Sequence, residues 1–187
     1  MSYITEMWDS AINSGEVDGV DGNSFRRILV PIDANGASNE ALMMAARICH
    51  TTGAPLRLVH VRMWDQHPRS AGKYFTETSE EATAVLHEAI TAAWEHGIQV
   101  SGVVLEAPRS LVAMTIVAEA TSWDADVIVL TKLPKRSLSF PLSASVSARL
   151  RRKASCPVLV VRSGEGASAH YELSKPVRQR SLARTSR

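Results

Sequence analysis

Cysteine is scarce in this 187-residue sequence: Cys49 and Cys156 are the only two, far apart and in no zinc or redox spacing. That excludes a disulfide framework and predicts two buried, reduced thiols, with no metal required. Long apolar runs are also missing. No stretch approaches the roughly eighteen residues needed to cross a bilayer, and the start of the chain lacks the cationic and apolar segments of a secretory signal. The expectation is a cytoplasmic protein without membrane contact. Residues 1–24 lack any positive side chain while carrying Glu6, Asp9, Glu16, Asp18 and Asp21. Residues 163–187 reverse the balance, with Lys175, Arg178, Arg180, Arg184 and Arg187 against Glu165 and Glu172 in a Ser-, Gly- and Ala-rich context. Both ends read as disordered extensions. The basic end is either a solvated tail or a contact for nucleic acid or anionic lipid, and Arg178 to Ser181 has the form of a basophilic kinase site.

What is present between them is one core's worth of alternating strands and helices, in a chain that is 45% hydrophobic. "RRILVPID" (26–33) is a short apolar strand ending in an acid. The helix after it carries Leu42, Ala45, Ala46 and Cys49 on one stripe. "PLRLVHV" (55–61) is a second strand, and Thr78 with Glu81 forms a capping box. The helix so opened repeats Ala82, Val85, Leu86, Ala89, Ile90 and Ala93 at helical spacing, with Gly97 as its stop. "IQVSGVVL" (98–105) has one wet face and reads as an edge strand. Pro108 starts a helix with Leu111, Met114, Val117 and Ala118 in line, and Trp94 and Met114 fit packing stripes. "DVIVLT", a helix over 143–153 and "CPVLVVR" complete the domain, residues 25–162. Strands separated by helix-length segments call for right-handed crossovers, so the predicted architecture is α/β, a doubly wound parallel sheet with helices on both faces.

Ligands of such sheets sit beyond the carboxyl ends of the strands, where the winding direction reverses. Three segments qualify: "PIDANG", "VRMW" and the long stretch after the fourth strand of the alternation. In that last stretch, "VIVLTKLPKRSLSFPLSASVS" (127–147) holds Lys132, Lys135 and Arg136 but no glycine. Its cations, with the amides of Ala144 to Ser147 expected to open a helix, suit an anion; the alternative is a solvated loop with a Ser cap.

"RRILVPIDANGASNEALMMAARI", "LRLVHV" and "ADVIVLTKLPKRSLSFPLSASVSARLRRKASCPVLVVR" together resemble the universal stress protein family, from about Arg26 to Arg162. The resemblance implies five parallel strands in the order 3-2-1-4-5, a homodimer and, in one large branch of the family, ATP held by G-x2-G-x9-G-[ST] after strand four. Here Thr131, Pro134 and Ala144 stand at the three glycine positions, and Ser145 keeps the hydroxyl. Glycine lets backbone approach a phosphate and take dihedrals other residues resist. Ala144 is the mildest change, Thr131 adds a branched side chain at the strand end, and Pro134 fixes φ and removes an amide donor. The resemblance also implies a base pocket at Pro31, Ile32, Asp33 and Val61 and a phosphate side at Leu130, Thr131, Lys132, Pro134, Ala144, Ser145, Val146 and Ser147. Asp33 reads equally as a turn or helix-start carboxylate.

No Ser/His/Asp set and no Walker lysine can be assembled from the strand ends, so the chain reads as a non-enzyme, and His60 as a structural histidine. The apolar last strand, Pro157, Val158, Leu159, Val160 and Val161, would be a pairing hazard as a bare edge. Either a homodimer through that strand covers it, in line with the resemblance, or one of the chain's own tails does. Two functions remain open. One is a dimeric stress-response interaction or regulatory module with weak or absent ATP binding, no required cofactor and unknown protein partners. The other is an adenine-nucleotide sensor, for ATP, AMP or cyclic AMP, with a modified phosphate loop.

Overall fold

The computed structural model describes residues 25–34, 38–66, 72–132, 141–162 and 170–174. Its parallel strands are β1 (Ile28–Ile32), β2 (Leu56–Gln66), β4 (Val100–Pro108), β5 (Val127–Lys132) and β6 (Val158–Arg162). They lie side by side as β4-β2-β1-β5-β6, the expected 3-2-1-4-5 arrangement once the strands of the parallel set are counted alone. Two antiparallel strands extend this set to a seven-stranded sheet: β3 (Lys73–Phe75) on β2 and β7 (His170–Ser174) on β6. The α/β class stands, and the sheet is mixed rather than purely parallel.

The helices α1 (Asn39–Thr52), α2 (Ser79–Glu95), α3 (Val112–Ser122) and α4 (Pro141–Lys153) pack in two layers. Alternation along the strands decides which layer each side chain meets. Ile28, Val30, Leu56 and Leu58 point into the core shared with α1 and α2, while Leu29, Val59, Ile128 and Val160 point into the one shared with α3. Each strand is therefore apolar on both faces, as covered parallel sheets require.

Local signals act as the sequence suggests. Thr78 and Glu81 exchange both capping-box bonds at the start of α2. At its end Gly97 adopts φ +73°, which lets Ile98 N donate to Ala93 O at 3.1 Å. Gly102 on β4 sits where an added Cβ would come within 2.7 Å of Leu86 and Ile90, so α2 can lie directly on that strand. Leu42, Ala45, Ala46 and Cys49 are all buried on α1.

The expected packing stripe of α3 is corrected. Its buried side is Val112, Ala113, Ile116 and Ala120, and Leu111 and Met114 are 50% and 44% exposed. Glu119 is the only charged residue of this helix, so its sequence has too little polar contrast to reveal which face turns inward. Trp94, also assigned to packing, is 73% exposed near the end of α2.

On the last strand the structure has the second of the two covers that the sequence left open. The outer edge of β6 is occupied by the chain itself: β7 pairs along it from Val158↔Ser174 to Arg162↔His170. Part of the segment expected to be a disordered tail is thus a sheet strand. It satisfies the backbone groups of Val158 to Val161 that motivated a subunit interface. A homodimer through β6 would first have to displace β7.

Cys49 and Cys156 are free and buried. Burial pushes the Cys49 thiol from an ordinary 9.0 up to about 12. The folded chain then keeps this proton after the unfolded chain has lost it, so the contribution is fully present below pH 9.0 and is lost as pH rises towards about 12. Cys49→Ala should flatten the alkaline limb of a urea-denaturation series. In the native protein at neutral pH, Cys49 should not react with an aromatic disulfide reagent until the chain unfolds; prompt labelling would contradict its burial.

Candidate functional site

The carboxyl ends of β1, β2 and β5 meet where the winding reverses, and they hold most of the predicted site. Register places Pro31 opposite Val59 and Ile32 opposite His60, so Asp33 follows next to Val61. Ile32 and Val61 are nearly closed off from solvent, and Pro31 and Asp33 are partly so. Asp33 N donates to Ser38 Oγ at 3.2 Å, tightening the turn that leads into α1.

On the β5 side, Leu130 is buried against Val160, and Lys132 is the last residue of the strand. Thr131, at the position of the first motif glycine, is 8% exposed, and its Oγ1 accepts from Ala41 N at 3.0 Å. The hydroxyl caps the first turn of α1, an amide that the N-cap residue Ser38 does not reach. Thr131 therefore does more than fill space: it fastens the end of β5 to the start of α1 across the crevice.

Pro134 lies outside the described residues. Ala144, Ser145, Val146 and Ser147 belong to α4, which begins at Pro141, a residue suited to a first helical position. With the helix opening there, the amides of Ala144 to Ser147 bond back into it. The helix that these amides were expected to open thus begins three residues before Ala144.

A further group of residues closes the β1–β2 side, and of it only His60 stood out in the sequence. β2 continues past Val61 to Gln66, and Trp64 pairs with Pro108 on one flank and with Phe75 on the other. The second flank is the one β1 occupies lower down, so β3 continues the sheet beyond the end of β1. His60, 4% exposed, places Nδ1 at 3.1 Å from Ile32 O and Nε2 at 2.9 Å from Glu77 Oε1. Both neighbours are acceptors, so the two bonds form together when the ring holds two protons. Arg62 donates to Glu77 O at 3.1 Å and to Glu106 Oε1 at 2.7 Å, with its guanidinium 3.7 Å above the Phe75 ring. Arg109 and Asp65, 2.8 Å apart, and Lys73 over Trp64 at 4.2 Å complete the rim. The signal for this rim was faint: a strand with a polar continuation, then "KYF", too short to read as a strand.

A model of the Universal stress protein family matches residues 24–162. The chain belongs to that family. A curated relative, a universal stress protein of Methanocaldococcus jannaschii, is 29% identical over 161 residues, covering 82% of this chain and 88% of its own. Among solved structures, a universal stress protein in complex with cAMP aligns with TM-score 0.57 at 20% identity, covering 75% of this chain and 98% of that one. A functionally unknown Pseudomonas aeruginosa protein aligns with TM-score 0.58 at 23% identity over 77% of this chain. This chain spans only 45% of that protein's length. At these identities the solved structures bear on the fold alone. Among the described residues of this universal stress protein, no helix is long and apolar enough to cross a membrane.

Proposed function

We propose that this universal stress protein is a non-enzymatic, cytoplasmic interaction or regulatory module whose nucleotide crevice is narrowed, with weak or absent ATP binding. One observation carries the reading: Thr131 Oγ1 bonds Ala41 N where a glycine would leave bare backbone. The bond draws β5 and α1 together and removes a helix-start amide from those that could meet an anion. The proline at position 134 adds to this, because it offers no amide donor. Partners are then proteins rather than an obligatory cofactor. Self-association through Pro157 to Val161 would require β7 to leave its place on β6.

A second reading rests on a different observation, the adjacency of Asp33 and Val61 at the ends of neighbouring strands. A base pocket there would suit an adenine nucleotide making few demands on the phosphate loop, such as AMP or the cyclic AMP present in the structurally similar stress protein.

Calorimetric titration of the purified chain with ATP, AMP and cyclic AMP separates the two. The expected result is no saturable heat with ATP at micromolar concentration, and a micromolar ATP affinity would overturn the favoured reading. Thr131→Gly should raise affinity for any adenine nucleotide, at a stability loss of about 1–3 kcal/mol from the orphaned Ala41 amide. Asp33→Ala should abolish residual AMP or cyclic AMP binding; an unaltered isotherm would place the ligand elsewhere.

A further inference from the structure

The two flanks of the sheet end differently. Beyond β6 stands β7, five residues long with Glu172 exposed, a short and charged edge of the kind that resists further pairing. At the other flank β4 pairs with β2, and among the described residues no strand lies on its outer side. β4 is nine residues long and lacks the devices that usually blunt an edge. Residues 98–105 carry no charge. The pairing with β2 runs one to one from Leu56↔Val100 to Trp64↔Pro108, without a bulge, and proline comes only at the last position. The one charged side chain of the strand, Glu106, is engaged by Arg62 at 2.7 Å.

Both faces of this edge are apolar. Val100 and Val104 are half-buried against the core beneath α1 and α2, in company with Val85 and Ile90 of α2, and Val103 and Leu105 are half-buried against the core beneath α3. Trp94, one turn beyond Ile90, is 73% exposed and extends the apolar border.

The backbone groups along the edge have a fixed parity. Gln99 O accepts from Leu56 N at 2.8 Å, so Gln99, and with it Ser101, Val103 and Leu105, turn their amides and carbonyls towards β2. Val100, Gly102, Val104 and Glu106 therefore direct theirs outward. An antiparallel strand in the register that sets 100 against 106 and 102 against 104 meets all four, and stops short of Pro108, which has no N–H. The strand that offers the same four residues in return is β4 of a second copy, because a two-fold axis through Val103 satisfies both chains at once. In that register Glu106 falls opposite Val100, so no like charges meet.

We propose that two copies of this chain pair through the outer edge of β4, antiparallel about Val103, into one continuous sheet. The interface is two-fold and therefore closed, so association stops at a dimer. The antiparallel joint also points the two strand-end crevices in opposite directions.

Light scattering on the complete chain at micromolar concentration should give twice the mass of one chain. Val103→Lys, which sets like charges against each other across the axis, should halve it. Val103→Cys should form a disulfide between copies on mild oxidation, since residues facing each other in a non-hydrogen-bonded pair have Cα atoms about 4.5 Å apart. Ser101→Cys should not, because its counterpart lies four residues along, roughly 13 Å away. Cys49 and Cys156 are buried and add no background. The cysteine variants decide the matter even if Val103→Lys fails to fold. A single-chain mass for the unaltered protein would overturn the proposal, leaving the edge to another segment of the chain or to a different protein. A dimer without the Val103→Cys cross-link, or with equal cross-linking at both positions, would also overturn it.

Discussion

Alanine at position 60 is expected to lower the unfolding free energy by about 3 kcal/mol, because two hydrogen-bonding groups lose their partner at roughly 1–3 kcal/mol each. His60 joins the end of β1 to Glu77, the residue before the N-cap of α2, through Ile32 O and Glu77 Oε1. Without the ring, Ile32 O and the Glu77 carboxylate, with 16% of its side chain exposed, both lose their hydrogen-bond partner. Water can reach Glu77 in part, which holds the estimate near the lower end of that range. The measurement is a urea transition with a lower midpoint and unchanged slope. Glu77→Gln keeps an acceptor for Nε2–H and should lose clearly less than His60→Ala. Equal losses would mean that charge, not the bridging geometry, dominates. A loss below about 1 kcal/mol for His60→Ala, the size of an ordinary exposed pair, would show that the clasp does not hold β1 and α2 together.

Leu58→Ala should be the most damaging single truncation of an aliphatic residue, at about 3–5 kcal/mol. Leu58 is 0% exposed on β2, between Val30 of β1 and Gly102 of β4, and it faces the core beneath α1 and α2. A central strand fixed by partners on both flanks cannot collapse into the space left, so the cavity penalty adds to the lost burial. Leu173→Ala is the matching control. Leu173 is also on a strand, but it is 50% exposed on β7, and its truncation should move stability by no more than about 0.5 kcal/mol. Similar losses at both positions would mean that β7 is as integral to the fold as β2.

The parallel strands were legible because burial on both faces leaves near-continuous apolar runs, such as "VIVL" and "VLVV", separated by helix-length spacers, whereas their order was implied only by the family resemblance. The capping box of Thr78 and Glu81 and the left-handed Gly97 were legible for a related reason: each is set by a few neighbouring residues. The face of α3 was not, since apart from Glu119 that helix holds only apolar, small or hydroxyl side chains. β3 and β7 were not either. Each is short, and each exists as a strand only because another strand offers an unpaired edge beside it. Thr131 could be flagged from the sequence as a departure from a glycine motif. Its partner, Ala41, ninety residues away, could not be named from local pattern.

By itself, then, the sequence determined the α/β alternation, the family and the altered glycine positions, because periodicity and motif spacing are properties of neighbouring residues. Tertiary structure alone decided that Thr131 caps α1, that His60 joins β1 to α2, and that the chain's own β7 covers β6. Those contacts depend on long-range closure of the sheet, which brings together atoms that no local pattern relates.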